Sequence, residues 1–459
     1  MLTVREGRNR GRALRTSLPR SAQADLVLPE RDPVGILAEQ NATRLPELVP
    51  VRIGRMLQSP FAFYRGTAAI MAHDLADAPV TGVDLVCCGD AHISNFGLYA
   101  SPERRLLFDL NDFDEAGTGP WEWDVKRLAA SVVLGGRDLG LSEPRCREAA
   151  QAAVRAYRLT LQQMYELTAL ERYYVQVEAE RIERLVEARH RNLFRWHLER
   201  SRRRTSEQVR DKLTATDDNG SLRFLESPPT TRHVDIPSFE EVALHYEAYC
   251  ASLRGDAAYL LTQFRIVDYV LRAVGVGSVG TRCYVVMLEG PSGAPLFLQV
   301  KEAPPSVLET YGRRPHVLPP GVAPPAAGPH GHRVVTSQRI LQAQSDPFLG
   351  WISAWADAEN PRPADYYWRQ FRDMKGSVEL QTLSRPLYTD YVSLCGQLLA
   401  RAHCQSPGGS IVLGYVGRSE RFDEAAAAWA VAYADQSERD FAALGKAVRA
   451  GRLPAETGV

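Results

Sequence analysis

Two short polar segments of the sequence carry the residue types that phosphoryl transfer requires. Asp90 and Asn95 lie five positions apart after the apolar run Val83–Cys88, and Asp112 and Asp114 follow a second apolar run. The reaction needs a carboxylate beside the attacking hydroxyl and oxygen ligands for the Mg²⁺ that binds the triphosphate. Two apolar runs, Phe96–Tyr99 and Leu106–Leu110, on either side of a polar turn predict a β-hairpin, which would return Asp112 to the loop of Asp90 and Asn95.

The same residue types also stabilise ordinary loops, so one Asp–Asn pair does not by itself predict a catalytic site. Here, however, Asp109, Asp112 and Asp114 are crowded into six residues at the end of a predicted strand. Like charges at this spacing repel unless a cation or hydrogen-bond donors compensate. We therefore predict a functional site rather than a structural loop.

A glycine-rich segment, Gly275–Gly280, matches the pattern G-x-G-x-x-G. In dinucleotide-binding folds this pattern follows a strand and opens a helix. Here the preceding residues, Phe264–Val274, predict a helix, and the following Thr281–Leu288 predict a strand. A glycine-rich turn that leads into a strand is instead typical of a loop that covers nucleotide phosphates. Lys301, at the end of the next apolar strand, is placed to reach the same phosphates.

These segments resemble known kinases. Gly89-Asp90-x-His92-x-x-Asn95 is similar to the H-G-D-x-H-x-x-N catalytic loop of aminoglycoside phosphotransferases and choline kinases, with Cys88 in place of the first histidine. Asp112-Phe113-Asp114 resembles their metal-binding D-F-[DE] segment, and Asp124 resembles the aspartate that braces the catalytic loop. Nearly the whole chain resembles an uncharacterised bacterial family, domain of unknown function 2252. The matching strings include Arg55-Met56, Ser59–Gly66, Cys88–Gly97, Asp109–Asp114, Gly275–Gly280 and Gln299–Ala303.

The resemblance implies ATP and Mg²⁺ as cofactors and a role for each matching residue. Asp90 is the expected catalytic base, and Asn95 and Asp112 are the expected Mg²⁺ ligands. The expected nucleotide contacts are Gly275, Gly277, Ser278, Gly280 and Lys301, with His92, Asp114, Asp124 and Glu309 in supporting positions. Glu309 is included because kinases pair the lysine with a glutamate and residues 333–345 contain no acidic side chain.

The order of the motifs along the chain is the reverse of that in ordinary kinases. The catalytic loop precedes the glycine-rich loop, and Tyr388–His403 resembles the helix that normally leads into the catalytic loop. We therefore expect an α+β, two-lobed, protein-kinase-like fold that is circularly permuted. Chain ends that lie close together on a compact fold make such a permutation tolerable.

The sequence pattern divides the chain into four predicted parts. Residues 1–45 are expected to form a flexible basic arm, and 46–236 the catalytic-loop part of a helical lobe, with charged helices over 143–213 and a linker over 214–236. Residues 237–380 are expected to form a small nucleotide lobe with a Pro-rich flap at 311–332. The remainder, 381–459, is expected to complete the helical lobe, with two helices over 423–450.

Composition limits the class of protein. The 459 residues include 55 basic and 55 acidic side chains, so no overall charge favours nucleic acid as a partner. No apolar run reaches the roughly 18 residues that a membrane span needs, and no signal sequence is evident. Seven cysteines without a C-x-x-C pair indicate reduced thiols, so we expect a cytoplasmic protein. The oligomeric state is not predicted.

The function predicted from these features is an ATP- and Mg²⁺-dependent phosphotransferase that acts on a hydroxyl group of a small molecule. Alternatives are a nucleotide-binding pseudokinase scaffold, an AMP transferase, and a metallophosphoesterase, which would leave the glycine-rich segment and Lys301 unexplained. His316, His330 and His332 lie in the Pro-rich segment, where we interpret them as solvated loop residues, with a metal site as the alternative.

Overall fold

Helices and strands both occur among the described residues, which confirms the α+β class. The computed structural model describes residues 2–185, 195–196, 198–218, 220–235, 237–273, 275–354 and 364–458. The helices are α1 (Val4–Ser17), α2 (Pro33–Asn41), α3 (Val49–Met56), α4 (Pro60–Arg65), α5 (Ala68–Leu75), α6 (Trp121–Asp138), α7 (Glu143–Met164), α8 (Ala169–Tyr173), α9 (Ala179–Leu185), α10 (Ser206–Leu213), α11 (Phe239–Ser252), α12 (Gly255–Leu261), α13 (Val307–Thr310), α14 (Pro329–Leu341), α15 (Arg385–His403), α16 (Gly409–Val416) and α17 (Arg421–Arg449). The strands are β1 (Asp84–Cys87), β2 (Phe96–Ala100), β3 (Leu106–Leu110), β4 (Gly117–Pro120), β5 (Thr214–Thr216), β6 (Leu222–Phe224), β7 (Thr231–Arg232), β8 (Arg265–Arg272), β9 (Cys283–Glu289), β10 (Pro295–Glu302), β11 (Gly350–Ser353), β12 (Asp365–Gln370) and β13 (Gly376–Ser377).

Six antiparallel strands form the largest described sheet, in the order β11-β12-β10-β9-β8-β7. Helix α11 covers one face, where Tyr249 stacks on Trp368 with ring centroids 4.6 Å apart. Successive side chains of a strand point to opposite faces. Val300 of β10 therefore packs in this aromatic layer, whereas Lys301 points to the other face of the sheet.

A helical core holds the segments that carry the predicted site. Helix α6 packs against α7 and α17, and α15 packs along α7. Trp121, at the start of α6, stacks on Tyr157 of α7 and contacts Tyr415 and Phe422. Strand β1 pairs with β4 and contacts both α6 and α15, so the loop that follows β1 begins from a fixed position.

The predicted flexible arm is an ordered part of the fold, so that prediction is corrected. Helix α1 begins with a capping box, and its Gly7 and Gly11 pack directly on α16. Arg15 donates to the carbonyl oxygens of Gly414 and Tyr415, and Arg20 donates to that of Val416. Helix ends leave such carbonyl groups unpaired, and cationic side chains stabilise them. Arg15 and Arg20 therefore stabilise the contact between the start of the chain and α16.

Three other expectations about secondary structure are also corrected. The predicted helix up to Val274 ends at α12, and Arg265–Arg272 form strand β8, whose valine and tyrosine side chains suit a sheet. The predicted linker over 214–236 contains β5, β6 and β7, and β7 joins the six-stranded sheet. The sheet-bearing part therefore begins before the predicted boundary at residue 237. One long helix, α17, replaces the two helices predicted over 423–450.

Other parts of the sequence interpretation agree with the structure. The two hairpins β2–β3 and β9–β10 pair as predicted, and the helix predicted over Tyr388–His403 is α15. Of the charged helical stretch 143–213, residues 186–194 and 197 lie outside the described part of the chain. Among the described helices, none has both the length and the apolar character needed to cross a membrane.

Candidate active site

The loop after β1 carries Asp90, His92 and Asn95, and a glycine shapes its beginning. Gly89 has a φ of +76°, and a Cβ atom there would overlap the carbonyl oxygen of Glu115. An L-residue disfavours this conformation even without the overlap, so glycine is required for two reasons. The close approach of Gly89 brings the loop against the segment that carries Asp112 and Asp114.

Asp124 of α6 supports this loop through hydrogen bonds to its backbone. Its carboxylate, only 1% exposed, accepts hydrogen bonds from the backbone N–H groups of Cys88 at 2.7 Å and Gly89 at 2.9 Å. His403, the last residue of α15, lies with Nε2 3.1 Å from the same carboxylate, and its Nδ1 lies 2.8 Å from the Tyr157 hydroxyl. Both carboxylate oxygen atoms of Asp124, the residue predicted to brace the loop, are thus hydrogen-bonded.

Asp90 lies at the open end of the loop. Its Oδ1 accepts from Arg127 Nε at 2.8 Å, and the Arg127 guanidinium also lies over the Tyr64 ring at 3.9 Å. The Oδ2 atom is 3.7 Å from His92 Nε2, and the Asp90 side chain is 22% exposed. Burial lowers the pKa of His92 to about 4, so this histidine is neutral at physiological pH. Asp90 therefore keeps one carboxylate oxygen available to a bound molecule.

Asn95 and Asp112 each present a buried oxygen atom without a hydrogen-bond partner. Asn95 Nδ2 donates to the carbonyl oxygens of Asp90 at 3.1 Å and Asp112 at 2.9 Å, which fixes the orientation of the amide. Asn95 Oδ1 and Asp112 Oδ1 have no hydrogen-bond partner. Buried polar atoms in native proteins are normally paired, and an oxygen atom of either type is a suitable Mg²⁺ ligand. The donor chemistry of these two residues therefore suits a Mg²⁺ ion.

Lys301 reaches the same region from the sheet. Its Nζ is 2.7 Å from Asp114 Oδ2 and 3.5 Å from Asp112 Oδ1, and the side chain is only 3% exposed. Tyr367 donates to Asp114 Oδ1 at 2.5 Å. Burial alone would raise the pKa of Asp112, but the positive charges of Lys301, Arg369 and Lys375 outweigh it and lower the pKa below its usual range. The Asp112 carboxylate is therefore ionised beside the buried ammonium group of Lys301.

Glu309 is not the partner of Lys301, which corrects the prediction for that residue. The Glu309 carboxylate lies 3.3 Å from His316 Nδ1 and 3.6 Å from Arg333 Nε. The carboxylate that pairs with Lys301 is instead that of Asp114, where a glutamate was expected. The sequence analysis assigned Asp114 to the metal-binding segment and could not assign it to Lys301, because the two residues are 187 positions apart.

The glycine-rich segment connects β8 and β9 and contacts the same aspartate. Ser278 Oγ donates to Asp114 Oδ2 at 3.1 Å. The segment rests on residues near the start of the chain: Arg55 donates to the carbonyl oxygen of Gly275, and Leu45 N–H donates to that of Gly280, at 2.8 Å. Gly277 is close enough to the Arg65 carbonyl oxygen that a Cβ atom would lie 3.3 Å from it. The segment is therefore anchored to residues near the start of the chain and contacts Asp114 through Ser278.

Sequence reasoning missed two arginines of this site. Arg127 binds Asp90, as described above. Arg65 lies at the end of α4, and its buried Nε has no hydrogen-bond partner. Burial lowers the pKa of Arg65, and the nearby carboxylates of Asp90 and Asp112 oppose this decrease. The string Ser59–Gly66, which contributes to the family resemblance, is the only sequence signal that pointed to Arg65.

A cavity of about 380 Å³ lies elsewhere, on the opposite face of the six-stranded sheet from Lys301. Tyr284, Val286, Val300 and Trp368 of the sheet form its floor, and His245 of α11 lines its side. The cavity is therefore separate from the cluster around Asp90, Asp112 and Lys301.

The arrangement brings together an available carboxylate, two buried oxygen atoms without a hydrogen bond, a buried lysine and a glycine-rich segment. A family model described as "Uncharacterized protein conserved in bacteria (DUF2252)" matches residues 44–447, and the chain belongs to this family. Neither the search of curated proteins nor that of solved structures gave a match. The matched range includes every predicted site residue, from Asp90 to Glu309.

Proposed function

We propose that the protein is a Mg²⁺- and ATP-dependent phosphotransferase with a hydroxyl group of a small molecule as acceptor. The observation that carries this proposal is the pair of buried oxygen atoms without a hydrogen bond, Asn95 Oδ1 and Asp112 Oδ1, the second of which lies 3.5 Å from the buried ammonium group of Lys301. Phosphoryl transfer depends on groups that position the reactants and on groups that compensate negative charge. This cluster offers oxygen atoms that could hold Mg²⁺ and the positive charge of Lys301.

Asp90 acts as the general base in this proposal. Arg127 holds one carboxylate oxygen, while the second oxygen would accept the proton of the acceptor hydroxyl. Asp124 fixes the loop that carries Asp90 through two backbone N–H groups, so the carboxylate is positioned before the acceptor arrives.

Asn95 and Asp112 would hold Mg²⁺, which neutralises charge on the phosphates when bound. Lys301 and Ser278 would bind phosphate oxygen atoms in place of their present contacts with Asp114. Arg65 lies below the glycine-rich segment and provides a further cation for the transferred group.

The proposed architecture is a circularly permuted, two-lobed kinase-like fold. Its support is the position of α15, which is far from Asp124 in sequence yet ends with His403 bonded to that residue. In an unpermuted kinase-like chain, a helix at this position would lead into the catalytic loop. The strand–glycine-rich turn–strand arrangement of β8 and β9 supports the same interpretation.

The proposal is tested by calorimetric titration with ATP, with and without Mg²⁺. Asp112→Asn removes one ligand charge while keeping the side-chain shape, so we expect Mg²⁺-dependent affinity to fall at least ~10-fold. The matched control is Asp256→Asn, whose exposed side chain lies on α12 and forms an ion pair with the exposed Arg254.

Equal loss in both variants would contradict the assignment of Asp112. Absence of ATP binding by the folded wild-type protein would contradict the nucleotide proposal as a whole. Labelled ATP then separates phosphate from AMP transfer, because the γ-phosphate label reaches the product of a kinase and the α-phosphate label reaches that of an AMP transferase.

A further inference from the structure

Three potential metal ligands meet at the edge of the Pro-rich segment. Glu309 belongs to the short helix α13, His316 follows it in the loop, and His330 lies in the first turn of α14. One ligand atom from each residue lies within 4.8 Å of the other two. The two imidazole rings have centroids 5.9 Å apart and an interplanar angle of 74°. The sequence analysis grouped His316 and His330 with His332, but Glu309 takes that third position.

We propose that Glu309, His316 and His330 form a binding site for a divalent transition metal ion, with Zn²⁺ as the best fit. Two imidazoles and one carboxylate are a frequent ligand set of Zn²⁺, and imidazole ligands disfavour Mg²⁺ and Ca²⁺. Ligands bound at about 2.0 to 2.1 Å on a tetrahedral ion lie about 3.4 Å apart. The distance of 3.3 Å between Glu309 Oε1 and His316 Nδ1 already meets this condition.

A second observation concerns His330 itself. Its Nδ1 atom is buried and has no hydrogen-bond partner, which is unusual for a polar atom in the interior. Its backbone N–H donates to Asp365 Oδ2 at 2.8 Å, so the residue is anchored to β12.

Arg333 is the charged neighbour that a metal ion would meet. Its Nε lies 3.6 Å from Glu309 Oε1 but makes no hydrogen bond. The other guanidinium nitrogens donate to the carbonyl oxygens of Asp114, Ala116 and Pro304. A metal ion on Glu309 therefore replaces one weak ion pair and leaves the three hydrogen bonds of Arg333 in place. The ion would fasten the Pro-rich segment next to the strand end that carries Asp114.

The test is a calorimetric titration of the full chain with ZnCl₂ after removal of metal ions by a chelator. We expect one equivalent of Zn²⁺ to bind, with affinity reduced at least ~10-fold in His316→Ala and in Glu309→Gln. The control is His332→Ala, because His332 lies in the same helix but packs on Trp351, and it should bind as the wild type does. Thermal unfolding of each variant checks that the fold is intact, and Glu309→Gln keeps the shape of the side chain.

The alternative location of a bound ion is the buried group Cys87, Asp124 and His403, whose ligand atoms also lie within 4.8 Å of one another. Titration with Co²⁺ separates the two sites, because only a bond to Cys87 gives the strong absorption of a cobalt–thiolate group. The proposal is overturned by a thiolate band for the bound equivalent, by no uptake of Zn²⁺ in the folded wild type, or by equal loss in His332→Ala. It is independent of nucleotide binding, so its failure leaves the proposed phosphotransferase untouched.

Discussion

At the scale of single residues, the side chains around Asp90 divide into those with every polar atom bonded and those with an unpaired atom. Asp124 accepts three hydrogen bonds, which occupy both of its carboxylate oxygen atoms. Asn95, in contrast, donates to two carbonyl groups and leaves its oxygen atom unpaired. The sequence predicted that Asn95 matters, but only the two carbonyl acceptors determine which side of its amide faces the site.

Asp90→Asn tests the proposed base. The change keeps a hydrogen-bond acceptor for Arg127 but removes the proton acceptor, so we expect turnover of ATP to fall by about 10² to 10⁴. Mg²⁺-ATP affinity, measured by calorimetry, should change little because the phosphate contacts lie on other residues. Turnover is followed as ADP formation with acceptor mixtures. Full turnover in the variant would show that Asp90 is not the base.

At the scale of elements, the functional loop depends on the tight passage from β1 to Asp90. Gly89 and Gly82 flank this strand and have similar positive φ angles, +76° and +71°. They differ in their surroundings: a Cβ atom at Gly89 would overlap the Glu115 carbonyl group, whereas one at Gly82 has no neighbour within 4 Å. Comparing Gly89 with Gly82 therefore separates the cost of backbone strain from the cost of steric crowding.

Gly89→Ala and Gly82→Ala are therefore a matched comparison. We expect Gly82→Ala to lower the free energy of unfolding by about 1 to 2 kcal/mol through its left-handed conformation alone. Gly89→Ala should lower it by about 1 to 3 kcal/mol more, because the added methyl group displaces the segment of Glu115. Chemical denaturation measures both values. Equal effects of the two substitutions would contradict the crowding argument.

Element prediction succeeded where local pattern and burial agree, as in the hairpin β2–β3 and helix α15. It failed for β8 because Phe264–Val274 continues directly from a helical stretch and its pattern does not mark where the helix ends. It also failed to pair Lys301 with Asp114, because these residues meet only through the packing of the sheet on the loop region. Contacts between distant segments carry no local sequence signal.

At the scale of the whole molecule, the first helix is part of the folded body. Only the arginine content of residues 1–30 was visible in the sequence, and it predicted a flexible arm. The acceptors of Arg15 and Arg20 are main-chain carbonyl groups some 400 residues away, at the end of α16. A main-chain acceptor leaves no trace in residue type, so this contact was not predictable from the sequence.

Arg15→Ala should lower the free energy of unfolding by about 1 to 2 kcal/mol, because it removes two hydrogen bonds from a charged donor to partly buried carbonyl groups. The control is Arg5→Ala, which changes an exposed arginine of the same helix and should have an effect near zero. Thermal or urea unfolding measures both. If the two variants are equally stable, the packing of α1 contributes nothing through Arg15.

The contact between His403 and Asp124 also constrains the order of events during synthesis. The two residues are 279 positions apart, so the loop of Asp90 emerges from the ribosome long before the helix that completes its support. Until α15 is made, His403 is absent, and the Asp124 carboxylate lacks one of its three hydrogen-bond donors. Contacts of such long sequence separation form late and slowly. Maturation of the site is therefore expected to be a post-translational event, and a nascent chain halted before residue 385 should not bind ATP.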